Sequence, residues 1–289
     1  MNENEIRSLL KQMHIADDVR SAKQFRSEED NEPYSVWKVT TTNGDLVLKE
    51  AKGLELETYR AFFAEPCAYA PRLLGSAAAD GRDYLLMEYI SGETLTKCTH
   101  DGLKHALDSL IIMQDTHWDS GESAGWNFER ALKGRQNRAN YLEDLLLEAA
   151  YGRFLDEFAK LPRTLCHDDL LPFNVMLSKD RAVFIDWEAG GILPYPTSLA
   201  RLIAHGEEKE DAFLYMKASD RAFAVDYYYE NLVSHKGISY ETYRRSMDLF
   251  LFYEYCEWVY VGNKYDARDS ERYQTYLKKA REMAAYILK

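Results

Sequence analysis

Residues 166–191 read CHDDLLPFNVMLSKDRAVFIDWEAGG, and the expected fold follows from this stretch. It contains a histidine, then Asp169 two positions later, and then Asn174 five positions after Asp169. An apolar run with a turn at 178–180 follows and ends at a second aspartate, Asp186. Single Asp and Asn residues are common in turns. Three of them in this order, with a strand-like run between them, predict one shared site.

The spacing of these polar residues suits the transfer of a phosphoryl group. Such a reaction needs a carboxylate beside the attacking hydroxyl and oxygen ligands that hold Mg²⁺ against the phosphates. Five loop residues allow Asp169 to face the acceptor while Asn174 faces the metal, and a hairpin returns Asp186 to the same metal. This arrangement is the H-x-D-x-x-x-x-N…D spacing of kinases.

The region before residue 91 reads as a small mixed sheet with one helix. Apolar runs at 34–39 and 46–49 predict two strands, and Asn43-Gly44-Asp45 between them is a hairpin signal. A helical pattern follows at 54–63. The runs at 71–75 and 84–90 flank a further turn at Asp80-Gly81, and the second of them is expected to be a buried strand. A short helix is also expected at 4–14.

The region after Ser91-Gly92 is mainly helical in pattern. Apolar residues recur at three- and four-residue spacing in five segments. These segments are 102–117, 129–160, 208–234, 239–262 and 269–288. The change in pattern predicts a boundary between two lobes near residues 88–92.

Several segments together resemble the aminoglycoside phosphotransferase and choline kinase superfamily. The segments are CHDDLLPFNVML, FIDWEAGG, LVLKE (46–50), LELETYRAFF (54–63), APRLLG (70–75) and LLMEYISGETL (85–95). The resemblance covers roughly residues 34–205. It implies an α+β, two-lobed protein-kinase-like fold with a small mixed α/β lobe and a mainly helical lobe. We therefore expect a nucleotide-binding lobe at 1–87, a hinge at 88–92 and a helical lobe at 93–289.

The resemblance also implies roles for residues outside the catalytic loop. Lys49 would bind the α- and β-phosphates of ATP or GTP, in the presence of Mg²⁺. Glu55 on the following helix would hold Lys49, with Glu57 as the alternative. The backbone of Glu88 and Ile90 would bind the adenine at the hinge. In the catalytic loop, Asp169 would act as the base, and Asn174 and Asp186 would ligate the metal.

Three positions depart from the pattern of that family. The loop at 27–33 has no glycine, although glycines usually let backbone N–H groups approach a phosphate. Asp168 stands where the family usually has Gly, and Ser198 stands where an Asp usually supports the catalytic loop. His167 is expected to brace the loop through backbone hydrogen bonds rather than to exchange protons.

The segment at 205–266 is the expected acceptor side, because it combines acidic and aromatic residues. Tyr255 and Trp258 lie three positions apart, and Glu254 and Glu257 precede them. On a helix, rings and a carboxylate on one face would attract an ammonium group. Aromatic stripes on helices are also common in protein cores, so both interpretations stay open.

The net charge of -12 argues against nucleic acids and anionic membranes as partners. Four cysteines without a CxxC pair favour a reduced, cytoplasmic location. The favoured function is phosphorylation of a small cationic molecule such as an aminoglycoside-like antibiotic. Choline, ethanolamine or an amino sugar are alternative acceptors, and a catalytically silent kinase-like binding protein is an alternative of another class. The oligomeric state does not follow from the sequence.

Overall fold

The computed structural model of the chain describes residues 1–16, 18–26, 31–179 and 181–289. The amino-terminal part is built on a five-stranded sheet. Its strands are β1 (Val19–Arg26), β2 (Pro33–Thr41), β3 (Asp45–Glu50), β4 (Leu73–Ala79) and β5 (Arg82–Glu88). Their order in space is β1-β2-β3-β5-β4, and every neighbouring pair is antiparallel. The expected mixed sheet is therefore an antiparallel one.

Strand β1 is not predicted by the sequence pattern. It lies at the edge of the sheet, and of its eight residues only Val19 is buried. An edge strand that is exposed on most of its length lacks the apolar alternation that identifies a strand.

Strand β5 separates two hydrophobic cores because successive side chains of a strand point to opposite faces. Tyr84 and Leu86 pack on one face with the apolar side of helix α1 (Glu3–Gln12). Leu85 and Met87 pack on the other face, in the core that continues into the helical part. The sheet is thus held between one short helix and the rest of the molecule.

Helix α2 (Glu55–Phe62) follows β3 and lies on the inner side of the sheet. Thr58, Tyr59 and Phe62 are buried at three- and four-residue spacing, which is the pattern of an amphipathic helix. The Thr58 hydroxyl donates a hydrogen bond of 3.1 Å to the carbonyl of Gly190, so α2 is attached directly to the carboxy-terminal part.

The carboxy-terminal part is mainly helical. Its helices are α3 (His100–Thr116), α4 (Phe128–Ala139), α5 (Leu145–Lys160), α6 (Pro196–Ala204), α7 (Ala218–Asn231), α8 (Tyr240–Lys264) and α9 (Glu271–Ile287). Within the described ranges, none of the helices is long and apolar enough to cross a membrane.

The single helix expected at 129–160 is two helices. Asp144 caps the second one, because its carboxylate accepts hydrogen bonds from the backbone N–H groups of Leu146 and Leu147. Glu143 precedes this cap with a φ of 52°, in the left-handed region, which ends the continuous helix. The helix expected at 208–234 is shorter than its pattern, since α7 begins only at Ala218.

Five short strands carry the loops of the carboxy-terminal part. They are β6 (Glu93–Thr94), β7 (Arg163–His167), β8 (Val175–Ser178), β9 (Arg181–Phe184) and β10 (Gly190–Pro194). Strands β8 and β9 form the expected hairpin, and β7 pairs with β10. A Cβ atom on Gly191 would lie 2.3 Å from the carbonyl oxygen of Trp126, so this position of β10 requires glycine.

Candidate active site

The loop between β7 and β8 brings the two ends of the predicted motif together. A turn of 3₁₀-helix at Pro172–Asn174 leads into β8. After the hairpin, the backbone N–H of Ile185 donates a hydrogen bond of 2.9 Å to the carbonyl of Asn174. This bond holds Asp186 beside the turn that carries Asn174, as the spacing predicts.

Asp186 lies at the junction of the two parts of the molecule. Its backbone is left-handed, with φ of 67° and ψ of 61°, which is uncommon for a residue other than glycine. Its Oδ1 lies 2.5 Å from the Nζ of Lys49 on β3. Partial burial opposes the charge of Asp186, but the positive charge of Lys49 outweighs it and lowers the pKa of the carboxyl group.

Lys49 has a second partner on helix α2. Its Nζ lies 2.8 Å from Oε1 of Glu55, which is fully buried. Glu57, the alternative partner, instead accepts a hydrogen bond from the backbone N–H of Gly125 at 2.8 Å. Of the two glutamates that the sequence leaves open, Glu55 is therefore the one that contacts Lys49.

The ion pairs change the proton affinities of the buried groups. Burial acts against the charge of Lys49, yet the negative charges of Glu55 and Asp186 outweigh it and raise the pKa of the ammonium group. Burial is the largest influence on Glu55 and raises the pKa of its carboxyl group. Lys49 therefore remains a cation at the junction. It lies between Glu55 of the amino-terminal part and Asp186 of the carboxy-terminal part.

Asp169, the candidate base, is oriented by its own loop. Its backbone N–H donates to Nδ1 of His167 at 3.2 Å, and its carbonyl accepts from Nδ2 of Asn174 at 2.8 Å. Its carboxylate is 38% exposed, and Oδ1 accepts hydrogen bonds from Arg201 on α6. Arg201 is a neighbour that the sequence reasoning missed.

His167 braces the loop through the contacts that the sequence analysis expects. It is fully buried, and its Nε2 lies 2.9 Å from the carbonyl oxygen of Ile185. Since Nδ1 accepts from the N–H of Asp169, Nε2 carries the proton and donates. Burial lowers the pKa of this imidazole, which keeps it neutral.

Asp168 points away from Asp169. Its carboxylate accepts two hydrogen bonds from the guanidinium of Arg135, at 2.6 and 3.1 Å, and one of 2.7 Å from the indole N–H of Trp126. Arg135 is fully buried, so the pair lies beneath the loop rather than in the site. The extra carboxylate of the loop is thus bound within the protein.

Ser198 supports the catalytic loop in the place where the related pattern has an aspartate. Its hydroxyl accepts a hydrogen bond of 2.9 Å from the backbone N–H of His167 and lies 3.4 Å from the carbonyl oxygen of the same residue. The backbone support of the loop is therefore present, although it comes from a neutral side chain.

Asn174 and Asp186 have the donor set that Mg²⁺ uses in kinase sites. Mg²⁺ prefers oxygen ligands and is commonly held by one or two carboxylates together with phosphate oxygens and water. Nδ2 of Asn174 is engaged by Asp169, so the amide oxygen is the atom that can ligate a cation. In the described part of the chain, no three His, Cys, Asp or Glu side chains form a metal site by themselves. The residues thus fit a metal that a nucleotide helps to hold.

Glu188 is a further carboxylate that the sequence analysis did not single out. It follows Asp186 by two positions, on the 3₁₀ turn at Trp187–Ala189. Burial, and then the negative charge of Asp186, raise the pKa of its carboxyl group. In the sequence, Glu188 could have been found as the second acidic residue of the triplet Asp186-Trp187-Glu188.

The expected hinge residues Glu88 and Ile90 lie at the end of β5 and just beyond it. The backbone N–H of Glu88 donates to the carbonyl of Arg72 at 3.0 Å, and its side chain accepts from the N–H of Arg72 at 3.0 Å. The glycine-free loop at 27–33 lies only partly within the described residues, because 27–30 are outside them.

The expected acceptor residues lie on α8, but their carboxylates are not open. Glu254 is 2% exposed and pairs with Arg201 at 2.9 Å. The side chain of Glu257 is 18% exposed and pairs with Arg138 at 3.2 Å. This departs from the expectation of a free carboxylate, because each arginine already supplies the cation that a substrate would bring.

The rings of Tyr255 and Trp258 on α8 each lie beside a cation of the protein itself. The guanidinium of Arg272 lies 4.5 Å from the ring centre of Trp258, and Nζ of Lys279 lies 5.6 Å from that of Tyr255. Both rings remain partly exposed. An acceptor ammonium group at these rings would therefore compete with Arg272 and Lys279.

Comparison with known proteins identifies relatives. The family model described as "Phosphotransferase enzyme family" matches residues 21–230. Protein LicA of Haemophilus influenzae is 25% identical over 142 residues, which are 49% of this chain and 50% of that protein. The matched stretch thus spans about half the length of this curated relative.

Solved structures share the fold at low sequence identity. One is a choline/ethanolamine kinase family protein from Mesorhizobium loti, with a TM-score of 0.62 and 16% identity, over 100% of this chain and 95% of that one. Another is an aminoglycoside phosphotransferase from Alicyclobacillus acidocaldarius, with a TM-score of 0.61 and 11% identity, over 98% of this chain and 95% of that one. These likenesses confirm the two-lobed kinase-like fold.

Proposed function

Because this chain belongs to the phosphotransferase enzyme family, we propose that it transfers the γ-phosphoryl group of ATP or GTP to a hydroxyl group of a small molecule. The observation that carries the proposal is the contact between Lys49, Glu55 and Asp186. It joins the sheet, helix α2 and the loop after β9 at one point.

The nucleotide would bind between a lobe at 1–87 and a lobe at 93–289, with the hinge at 88–92. Backbone groups of Glu88 and Ile90 would hold the adenine. Lys49 would contact the α- and β-phosphates as a point charge, and Glu55 would keep it in place. Asn174 and Asp186 would hold Mg²⁺, which neutralises the charge of the phosphates when it is bound.

Asp169 is the proposed base. Its carboxylate is partly exposed, and the loop fixes its backbone on both sides. It would accept a hydrogen bond from the acceptor hydroxyl and take the proton as the oxygen attacks the γ-phosphorus. Catalysis of this kind depends mainly on positioning and charge, which matches a site made of braced loop residues.

An amine-bearing acceptor is the favoured substrate class, with an aminoglycoside-like molecule first and choline, ethanolamine or an amino sugar as alternatives. The names of the two similar structures refer to amine-bearing compounds. The net charge of -12 also favours a cation. Glu207, Glu208, Glu210 and Asp211 are exposed in the loop after α6. The ring centre of Phe213 in that loop lies 6.2 Å from the ring centre of Phe173 in the catalytic loop, so this acidic segment lies near the base.

A catalytically silent binding protein is the second candidate. The observation that favours it is the contact of Arg201 with Asp169, which occupies one oxygen of the base. Turnover of Mg²⁺·ATP with kanamycin, choline, ethanolamine and glucosamine separates the two. A thermal shift with Mg²⁺·ATP and no turnover would favour the silent protein, whereas turnover with any of these acceptors supports the kinase.

A further inference from the structure

Arg201 connects the candidate base to a buried carboxylate. Its Nη2 and Nε lie 2.6 and 3.1 Å from Oδ1 of Asp169. Its Nη1 lies 2.9 Å from Oε2 of Glu254 on α8. One planar guanidinium therefore binds two carboxylates from different parts of the chain, with two of its N–H groups on Asp169 and a third on Glu254. The fixed angles between the N–H groups of a guanidinium hold the two carboxylates in this arrangement, and a lysine side chain does not reproduce those angles.

Glu254 is itself fixed on its other side. Nε2 of His205 lies 3.1 Å from the same Oε2, and Nδ1 of His205 lies 2.9 Å from the hydroxyl of Tyr276 on α9. All three of these side chains are buried. Helices α6, α8 and α9 thus hold Arg201 through a continuous set of hydrogen bonds.

The two ion pairs of Arg201 differ in their surroundings. Glu254 is almost completely buried, so its pair with Arg201 satisfies a charge that would otherwise be costly. The Asp169 carboxylate is 38% exposed, and an exposed ion pair adds little to stability. The consequence of the second contact is therefore geometric: it fixes the direction of the base.

The direction of Asp169 follows from which of its oxygens is used. Oδ1 accepts both N–H groups of Arg201. Oδ2 has a long contact of 3.4 Å with Nδ2 of Asn174, beyond the usual length of an N–H···O bond. Oδ2 is therefore the oxygen that can receive the hydroxyl of an acceptor.

We propose that Arg201 is a positioning residue of the phosphotransfer reaction and that Glu254 is its buried counter-ion. This inference rests on the proposed function. It reassigns Glu254, which supports the base through Arg201 and does not bind the acceptor. The acceptor hydroxyl then approaches Asp169 from the side of Oδ2.

The test compares Arg201→Met and Arg201→Lys with the control Arg244→Met. Arg244 forms a surface pair with Asp248 on α8 at 3.7 Å, outside the site. Turnover of Mg²⁺·ATP is measured with kanamycin, choline, ethanolamine and glucosamine, and with water alone as acceptor. We expect Arg201→Met to lower kcat about a hundredfold, the effect of misplacing a reacting group. The KM for ATP should stay close to the wild-type value. The kcat of Arg201→Lys should lie between the kcat of the wild type and that of Arg201→Met.

A double variant separates positioning from a structural role. Arg201→Met leaves Glu254 without its cation, so it also lowers the melting temperature. The double variant Arg201→Met, Glu254→Gln removes both charges and should regain much of that temperature without regaining kcat. Recovery of kcat together with the melting temperature would overturn the proposal, as would an Arg201→Met enzyme as active as Arg244→Met.

Failure of the proposed function gives a different result. A wild-type protein that neither turns over Mg²⁺·ATP with any of these acceptors nor shifts its melting temperature with Mg²⁺·ATP is not a kinase, and the role of Arg201 falls with it. An active wild-type enzyme whose Arg201→Met variant is equally active contradicts only the positioning role.

Discussion

Asp168 and Asp169 are neighbours in the chain, yet different arginines on different helices bind their carboxylates. Arg135 of α4 binds Asp168 beneath the loop, and Arg201 of α6 binds Asp169 at its surface. The side chain of Asp168 is 10% exposed and that of Asp169 is 38% exposed. The two carboxylates therefore have separate consequences, one for stability and one for the proposed chemistry.

Asp168→Asn should destabilise the protein. It leaves the fully buried guanidinium of Arg135 without its counter-ion, and breaking a buried pair in this way costs about 3–5 kcal/mol. Urea unfolding followed by circular dichroism measures the change. At urea concentrations below its unfolding transition, Asp168→Asn should lose less phosphotransfer activity than Asp169→Asn. An Asp168→Asn protein of normal stability and no activity would place the base at Asp168.

Glu55→Gln and Glu57→Gln form a matched pair on one helix. Of these two glutamates it is Glu55 that contacts Lys49, so its replacement should loosen the lysine and raise the KM for ATP roughly tenfold, which is the effect of about 1.4 kcal/mol. Glu57→Gln should leave the KM for ATP near the wild-type value. Steady-state kinetics at saturating acceptor measures both, and the reverse order of effects would exclude Glu55 as the partner.

The stability should decrease as the pH falls below about 6.5. Burial lowers the pKa of His205 and of His167 below the ordinary value of 6.5. The unfolded chain then binds protons that the folded chain does not bind, so the free energy of unfolding falls with pH, by up to about 1.4 kcal/mol per pH unit for each histidine.

His205→Gln tests this pH dependence. Urea unfolding of the wild type and of the variant is compared at pH 7.5 and pH 5.5. The variant lacks one of the two buried imidazoles, so the difference between the two pH values should be smaller than in the wild type. An equal difference would mean that His205 stays neutral in both states or is protonated in both.

Trp258→Ala and Arg272→Ala test whether an amine binds on α8. If the acceptor ammonium replaces Arg272 over the ring, Trp258→Ala should raise the acceptor KM by roughly thirtyfold, since such a contact is worth about 2 kcal/mol. Arg272→Ala should lower the same KM, because it removes the competing cation. The KM for ATP serves as the internal control. If neither variant changes the acceptor KM, the amine does not bind at this ring.

The sequence predicts the parts of the fold that depend on local patterns. The spacing from Asp169 to Asn174, and the hairpin that leads to Asp186, bring these residues together as expected, because a short loop and an antiparallel pair leave few alternatives. The contact of Lys49 with Glu55 was expected from the resemblance, with Glu57 left open. Helix α2 decides between them, because it turns Glu55 inward and Glu57 towards Gly125.

The partners of the charged residues could not be predicted. Arg201 is separated from Asp169 by 32 positions and from Glu254 by 53 positions, so neither contact has a local signal in the sequence. The acidic and aromatic face of α8 has the composition of a cation site. The cations that bind to this face come from three other parts of the chain and are evident only once the helices are packed. They are Arg201, Arg138 and Arg272.

The proposed roles of the catalytic-loop residues are tested most sharply by the turnover of Mg²⁺·ATP by Asp169→Asn and Asp186→Asn. Single-turnover transfer of the γ-phosphoryl group to the best acceptor among kanamycin, choline, ethanolamine and glucosamine is compared with the wild type at equal folded concentration. We expect a loss of at least about a hundredfold in each variant, since a positioned base contributes roughly 10²–10⁴ and metal binding a comparable factor. Variants that keep turnover within about tenfold of the wild type, although correctly folded, would contradict the assignment of the site.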